Sequence, residues 1–97
     1  MVNSKLKPKR KKRKITFTLE AVDAKEVYLV GEFNNWKVGT YPMKNNGMGK
    51  WHKPLLLPEG KFEYKFFVDN QWVADPQNER VCTNCFGTQN SVVSVVV

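Results

Sequence analysis

The sequence predicts an all-β protein, built as an antiparallel sandwich of two sheets. Apolar residues alternate with polar ones at a period of two, as in Ile15, Phe17 and Leu19 against Thr16, Thr18 and Glu20, the pattern of a strand with one buried face. Clusters of Gly, Pro, Asn and Asp separate these runs at short intervals, so the chain turns often. No ten-residue stretch keeps helical spacing with good helix formers. Ninety-seven residues, 41% of them hydrophobic, suffice for one small core and are too few for two.

In chain order, the first strand starts at Lys14 and runs to Glu20, and residues 21–25 read as a turn. Glu26 to Val30 is a second strand with Val27 and Leu29 on one face. It breaks at Gly31, and two asparagines, which bond their own backbone and tolerate turn conformations, carry Trp36 outward on a loop. Residues 37–49 hold three glycines and a proline, so they form a loop with room for a short strand near Tyr41 to Lys44. Lys50 to Leu57 is a strand in which Trp51, Lys53 and Leu55 share a face, and Trp51 reads as core. Pro58-Glu59-Gly60 is a turn. Lys61 to Asp69 is the longest strand, with Phe62, Tyr64, Phe66 and Val68 toward the core and Glu63, Lys65 and Phe67 on the opposite face. Asp69-Asn70 offers a hairpin, Gln71 to Ala74 returns, residues 75–90 read as irregular, and Ser91 to Val97 closes the fold as a valine-rich strand. Strands at this spacing imply an immunoglobulin-like antiparallel β-sandwich of about six to eight strands.

Charge divides the chain into an arm and a body. The net charge is +7, yet eight of the sixteen basic residues fall within residues 5–14, leaving eight bases against the nine acids, all of which lie beyond that run. The body, residues 14–97, is therefore close to neutral. Residues 1–13 are expected to be disordered, because a run of like charges repels itself and has little to bury. Such an arm is a solubilising leader or linker, or an attachment to polyanions such as nucleic acid. Nothing in the body supports base recognition. The absence of a long apolar run excludes a membrane-spanning helix and leads us to expect a cytoplasmic protein.

A tryptophan on a turn beside amide side chains is a rigid apolar plate next to polar groups, an arrangement that suits a sugar ring. If the hairpin at Asp69-Asn70 folds back, Trp72 can lie beside Lys65, placing a hydroxyl donor next to a second plate. A surface lysine that merely covers an aromatic is the alternative for that pair.

The run Lys25 to Val30 with Gly31-Glu32-Phe33-Asn34-Asn35-Trp36, the turn Leu57-Pro58-Glu59-Gly60, the strand Tyr64 to Asp69 with Gln71-Trp72, Asp75-Pro76, and Gly87-Thr88-Gln89-Asn90 occur in this order. Together they resemble family 48 carbohydrate-binding modules, specifically the glycogen-binding domain of the β subunit of AMP-activated protein kinase. The likeness covers Ile15 to Val97 and implies an early-set sandwich that binds α-1,4-glucan: glycogen, starch, maltooligosaccharide or cyclodextrin. It further implies that Trp36 and Trp72 are stacking platforms, that Lys65, Thr88 and Asn90 bond sugar hydroxyls, and that Phe86 reaches into the curve of the glucan. The family pattern has leucine at Phe86, and a bulkier ring can either add stacking or block the cavity. Relatives also precede the catalytic barrels of glycogen branching and debranching enzymes. A larger catalytic or kinase-associated partner is thus implied, and the rival reading is a sandwich that docks to such a partner with a vestigial sugar site.

Catalysis, metals and cofactors find no support in the residues. The nine acids are scattered, without the carboxylate pair of a glycosidase, and the single histidine, His52, has no acid or cysteine close by in sequence. Cys82-Thr83-Asn84-Cys85 is one C-x-x-C, half of a zinc site. A local disulfide and two thiols both remain open for it, and its oxidation state is expected to bear on the adjacent Phe86 loop.

Overall fold

The computed structural model describes residues 11–84 and 86–97. The basic arm up to Arg10 and the Cys85 half of the C-x-x-C lie outside the described residues. Among the described residues there are nine strands: β1 (Lys12–Glu20), β2 (Val27–Gly31), β3 (Tyr41–Pro42), β4 (Lys44–Asn45), β5 (Lys50–Pro58), β6 (Gly60–Val68), β7 (Gln71–Val73), β8 (Val81–Thr83) and β9 (Gln89–Val95), with a single 3-10 turn at Glu32–Asn34. The smaller sheet has the order β1-β5-β4, and the larger has β3-β2-β6-β9-β8, with β7 also paired to β6. All pairings are antiparallel. Among the described residues no helix is long and apolar enough to cross a membrane.

The core lies between the sheets. β1 and β5 contribute Phe17, Leu19, Trp51 and Leu57 from one side; β2, β6 and β9 contribute Val27, Leu29, Tyr64, Phe66 and Val95 from the other. Phe17 meets Tyr64 edge-on across the sandwich, ring centroids 4.9 Å apart, a favoured aromatic geometry. Trp51 is 7% exposed and satisfies its indole by donating to the Ala21 carbonyl at 3.0 Å. The period-two reading of β6 therefore holds on both faces.

Three elements differ from the sequence reading. Lys12 and Arg13, assigned by charge to the arm, are the first residues of β1 and pair with Pro58 and Leu57 of β5. Their side chains stay exposed, so the backbone ladder orders them without burying charge. The short strand expected near Tyr41 to Lys44 is split at Met43: β3 pairs with β2 in one sheet and β4 with β5 in the other. Met43 fills the corner, 5% exposed, and its amide donates to Val27 at 2.8 Å. Within residues 75–90, expected to be irregular, Val81–Thr83 forms β8 against Gln89–Ser91. All three residues of β8 are exposed, so no alternation announces it.

β6 positions the site through its partners. On one edge it pairs with β2; on the other it pairs with β7 over Phe66–Val68 and with β9 over Gly60–Tyr64. Lys65 lies where one partner gives way to the next. The β6–β7 hairpin turns through Asp69 and Asn70, both with positive φ (46° and 68°), as a tight turn between twisted strands requires. The Asp69 carboxylate accepts from the amides of Lys25 (3.0 Å) and Glu26 (2.9 Å), tying the hairpin to the start of β2. After β7 the chain is pinned by Asp75: Tyr64 donates its hydroxyl to Asp75 Oδ2 at 2.6 Å, and the Asp75 amide donates to Ser91 Oγ at 3.0 Å. Asn78 adds Nδ2 bonds to the Tyr64 hydroxyl (3.0 Å) and to the Val92 carbonyl (2.8 Å).

Burial, reinforced by the Asp75 carboxylate, raises the Tyr64 pKa above its ordinary 10.0. A phenol harder to ionise in the fold than in the unfolded chain adds stability that is fully present below pH 10 and is lost as pH rises beyond it. Tyr64→Phe is expected to lower stability at neutral pH by about 1–2 kcal/mol, since it leaves the half-buried Asp75 and Asn78 each short of a partner. It should also flatten the alkaline decline. Urea midpoints measured from pH 7 to 11 on both proteins test both statements.

Candidate functional site

The site begins with Gly31. Its register opposite Tyr64 presses β2 so close to β6 that a Cβ here would sit 2.6 Å from the Glu63 carbonyl and 2.9 Å from Tyr64 Cβ. Only glycine fits, and the chain leaves the sheet at that point. In the following 3-10 turn, Phe33 packs inward against Phe17, Tyr41 and Phe62. Asn34 is 9% exposed; its Oδ1 accepts from the Gly31 amide (3.1 Å) and its Nδ2 donates to the Lys37 carbonyl (3.2 Å).

The turn ends in a Schellman arrangement: Trp36 donates its amide to the Gly31 carbonyl at 2.9 Å and Asn35 to that of Glu32 at 3.3 Å. Asn35 (φ 56°) and Trp36 (φ 60°) are both left-handed. That region is unusual for a bulky residue such as tryptophan, and the surrounding bonds hold it there. Of the two amides expected to flank the plate, Asn34 is therefore turned into the protein and serves the turn.

Trp72 arrives from β7, directly opposite Phe67 of β6. The two rings pack with centroids 4.9 Å apart, so Phe67 props the indole while 48% of Trp72 stays exposed. From the C-terminal side come Phe86, Thr88 and Asn90. Lys65 Nζ donates to Thr88 Oγ1 at 3.1 Å, and Asn90, 5% exposed, donates its Nδ2 to Glu63 Oε1 at 2.9 Å. Phe86 is 85% exposed. Gly87 (φ 81°) supplies the left-handed bend that follows it.

Trp36, Lys65, Trp72, Phe86, Thr88 and Asn90 all line a single groove of about 780 Å³ on the outer face of the larger sheet. Phe86 is part of its wall. Glu32, Glu63, Thr83 and Asn84 line it as well, and the sequence reading missed all four. Glu32 and Glu63 are linked, Glu32 Oε1 accepting the Glu63 amide at 2.8 Å. Glu63 was placed on this face by strand parity, the signal that could have found it. Asn84 could have been suspected from Asn-x-Phe-Gly, a turn sequence just ahead of the contact loop. Nothing local marks Glu32 or Thr83.

The groove pairs two indole plates and the Phe86 ring with one ammonium, two carboxylates, two hydroxyls and two amides, which suits a neutral polyhydroxylated ligand with apolar faces. Cys82 is exposed nearby on β8, and the Glu63 carboxylate raises its thiol pKa above the ordinary 9.0, favouring the protonated form. Among the described residues no group of three or more His, Cys, Asp and Glu could hold a metal ion. His52 lies on β5 in the other sheet.

A two-sheet sandwich with such a groove is the architecture of a carbohydrate-binding module. A family described as the glycogen recognition site of AMP-activated protein kinase matches residues 11–97, and the chain belongs to that family. It is 50% identical over 72 residues to bovine 5'-AMP-activated protein kinase subunit beta-1 and 47% identical over 72 residues to the human subunit; each alignment covers 73% of this chain and 25% of the relative. Human subunit beta-2 is 45% identical over 71 residues, with the same coverage. The chain thus spans about a quarter of the length of these curated relatives. In structure it resembles the maltogenic amylase of S. marinus, with a TM-score of 0.73 at 25% identity over 87% of this chain and 14% of the amylase.

Asn34→Ala removes a buried acceptor and donor and is expected to lower stability by about 1–3 kcal/mol. Asn35→Gly, at a left-handed position that glycine accepts freely, should change it by less than about 0.5 kcal/mol. Thermal midpoints of the two variants against the parent check the contrast, and equal effects would sink the assignment of Asn34 as the structural member of the pair.

Proposed function

We propose that the chain binds α-1,4-glucan without catalysing its cleavage, holding glycogen, starch or shorter maltooligosaccharides and cyclodextrins by stacking and hydroxyl hydrogen bonds. The observation that carries this reading is the convergence on one groove of six residues from four separate segments. Trp36 and Trp72 stack on the apolar faces of successive glucose units, and Phe86 adds apolar contact from the far wall. Lys65, Thr88 and Asn90 bond the hydroxyls. Because the plates are held by packing and turn geometry, little entropy is lost when the ligand arrives. Affinity for one short chain is modest and rises through multiple attachment to a polymer.

The family and the kinase-subunit relatives favour a companion role, association with a kinase complex, which a module covering a quarter of those relatives could serve while holding glucan. Residues 14–97 act in this reading as the glucan-binding domain and the basic arm as a separate appendage.

A β-cyclodextrin titration followed by tryptophan fluorescence should show saturable binding that changes little with salt, since the ligand is neutral. Trp72→Ala should weaken it by about tenfold or more. Absence of any signal at millimolar cyclodextrin, or unchanged binding by Trp72→Ala, would refute the proposal.

A further inference from the structure

Asn84 lies in the groove wall yet has nothing left to offer a ligand. Its Oδ1 accepts from the amides of Phe86 (2.9 Å) and Thr88 (3.1 Å), and its Nδ2 donates to Thr88 Oγ1 (2.7 Å) and Asn90 Oδ1 (3.1 Å). A side-chain amide has two hydrogens and two acceptor positions, and all four are used. The first pair of bonds shapes the loop. The second pair acts on two residues that face the groove.

The effect on those residues follows from their bonding capacity. Thr88 Oγ1 receives hydrogens from both Lys65 Nζ (3.1 Å) and Asn84 Nδ2, which fills its lone pairs and leaves its own O–H free to point outward. Asn90 is clamped by its amide between Asn84 and Glu63 Oε1 (2.9 Å), so its orientation is fixed with one N–H and one lone pair remaining. Lys65 retains two N–H groups. On Lys65, Thr88 and Asn90 the groups left free are therefore mostly donors, while the Glu32 and Glu63 carboxylates supply acceptors beside them, and the partner that sets the Thr88 and Asn90 orientations is Asn84.

We infer that Asn84 is a positioning residue for the glucan site: it makes Thr88 an outward hydrogen-bond donor and locks the Asn90 amide, so that these two side chains present N–H and O–H groups to the oxygens of sugar hydroxyls. This rests on the reading of the groove as a glucan site. Asn84→Asp separates the two functions of the side chain. The carboxylate keeps the acceptor bonds to Phe86 and Thr88, but it offers no hydrogen to Thr88 Oγ1 or Asn90 Oδ1. Thr88 then turns its hydroxyl inward to the new acceptor, and the Asn90 amide loses its lock.

The experiment is a β-cyclodextrin titration of the full chain and of Asn84→Asp, accompanied by thermal midpoints and by amide exchange and side-chain amide spectra from NMR. The expected result is affinity about tenfold weaker in the variant, a midpoint lowered by about 4–8 °C with the transition still cooperative, retained protection of the Phe86 and Thr88 amides, and displaced Asn90 side-chain amide resonances. Affinity within twofold of the parent overturns the inference. So does weaker binding accompanied by lost Phe86 and Thr88 protection, because Asn84 would then be scaffolding the loop alone. If the parent itself fails to bind cyclodextrin, the glucan reading falls and this inference falls with it.

Discussion

The structure depends on an exchange of partners along one edge of β6. A strand can hold only one neighbour per edge at any point, and here β7 occupies that edge over Phe66–Val68 while β9 occupies it over Gly60–Tyr64. The chain must leave the sheet after β7 and return further down to begin β9. Trp72 is thereby left on one side of the junction and Thr88 and Asn90 on the other, with Lys65 between them. The intervening segment is held by Asp75 and Asn78, whose bonds to Tyr64, Ser91 and Val92 fasten it to β6 and to β9, the strand it approaches. A groove at the break in a sheet is thus a product of strand pairing, and the side chains that line it need no dedicated scaffold.

The opposite edge of β6 supplies the remaining wall by a different constraint. The close approach at Gly31 ends β2 and starts the turn that carries Trp36. Within six residues the chain sends Phe33 into the core, buries Asn34 among backbone groups and extends Trp36 in a left-handed conformation that its neighbours enforce. The plate is rigid because the residues just before it are structural. Phe67 does the same for Trp72 by packing instead of turn geometry. Two rigid plates on opposite sides of a polar floor account for a groove that exists before any ligand enters.

Much of this could be read from the sequence, wherever the signal was local or periodic. The face assignment of β6, the burial of Trp51 and the Asp69-Asn70 hairpin followed from period two and turn chemistry. Trp36, Lys65 and Trp72 stood out from turn and hairpin chemistry, Phe86, Thr88 and Asn90 from resemblance alone, and the groove gathers all six. What escaped was set by distant partners. β8 is exposed along its whole length and is ordered by β9, so it carries no pattern of its own. Lys12 and Arg13 are strand because Leu57 and Pro58 run alongside, a case of tertiary pairing overriding the preference of a charged run. Parity put Glu63 on the groove face, but its bond to Asn90, like the bonds of Asn84, joins residues several positions or a whole strand apart, which spacing along the chain does not encode.

The crossing at Met43 has a further consequence, for how the domain assembles. Tyr41–Pro42 belong to the larger sheet and Lys44–Asn45 to the smaller, so one five-residue segment is stitched into both layers with its buried side chain between them. Neither layer can be completed while the other is open. The principal ladders, β1 with β5 and β2 with β6, also join residues about 30 to 46 positions apart, a topology associated with folding in milliseconds to seconds. The sandwich should form and melt as one cooperative unit. Fragments that carry the groove strands without β1 and β5 would lack the sheet against which those strands close, so recognition is confined to the intact domain.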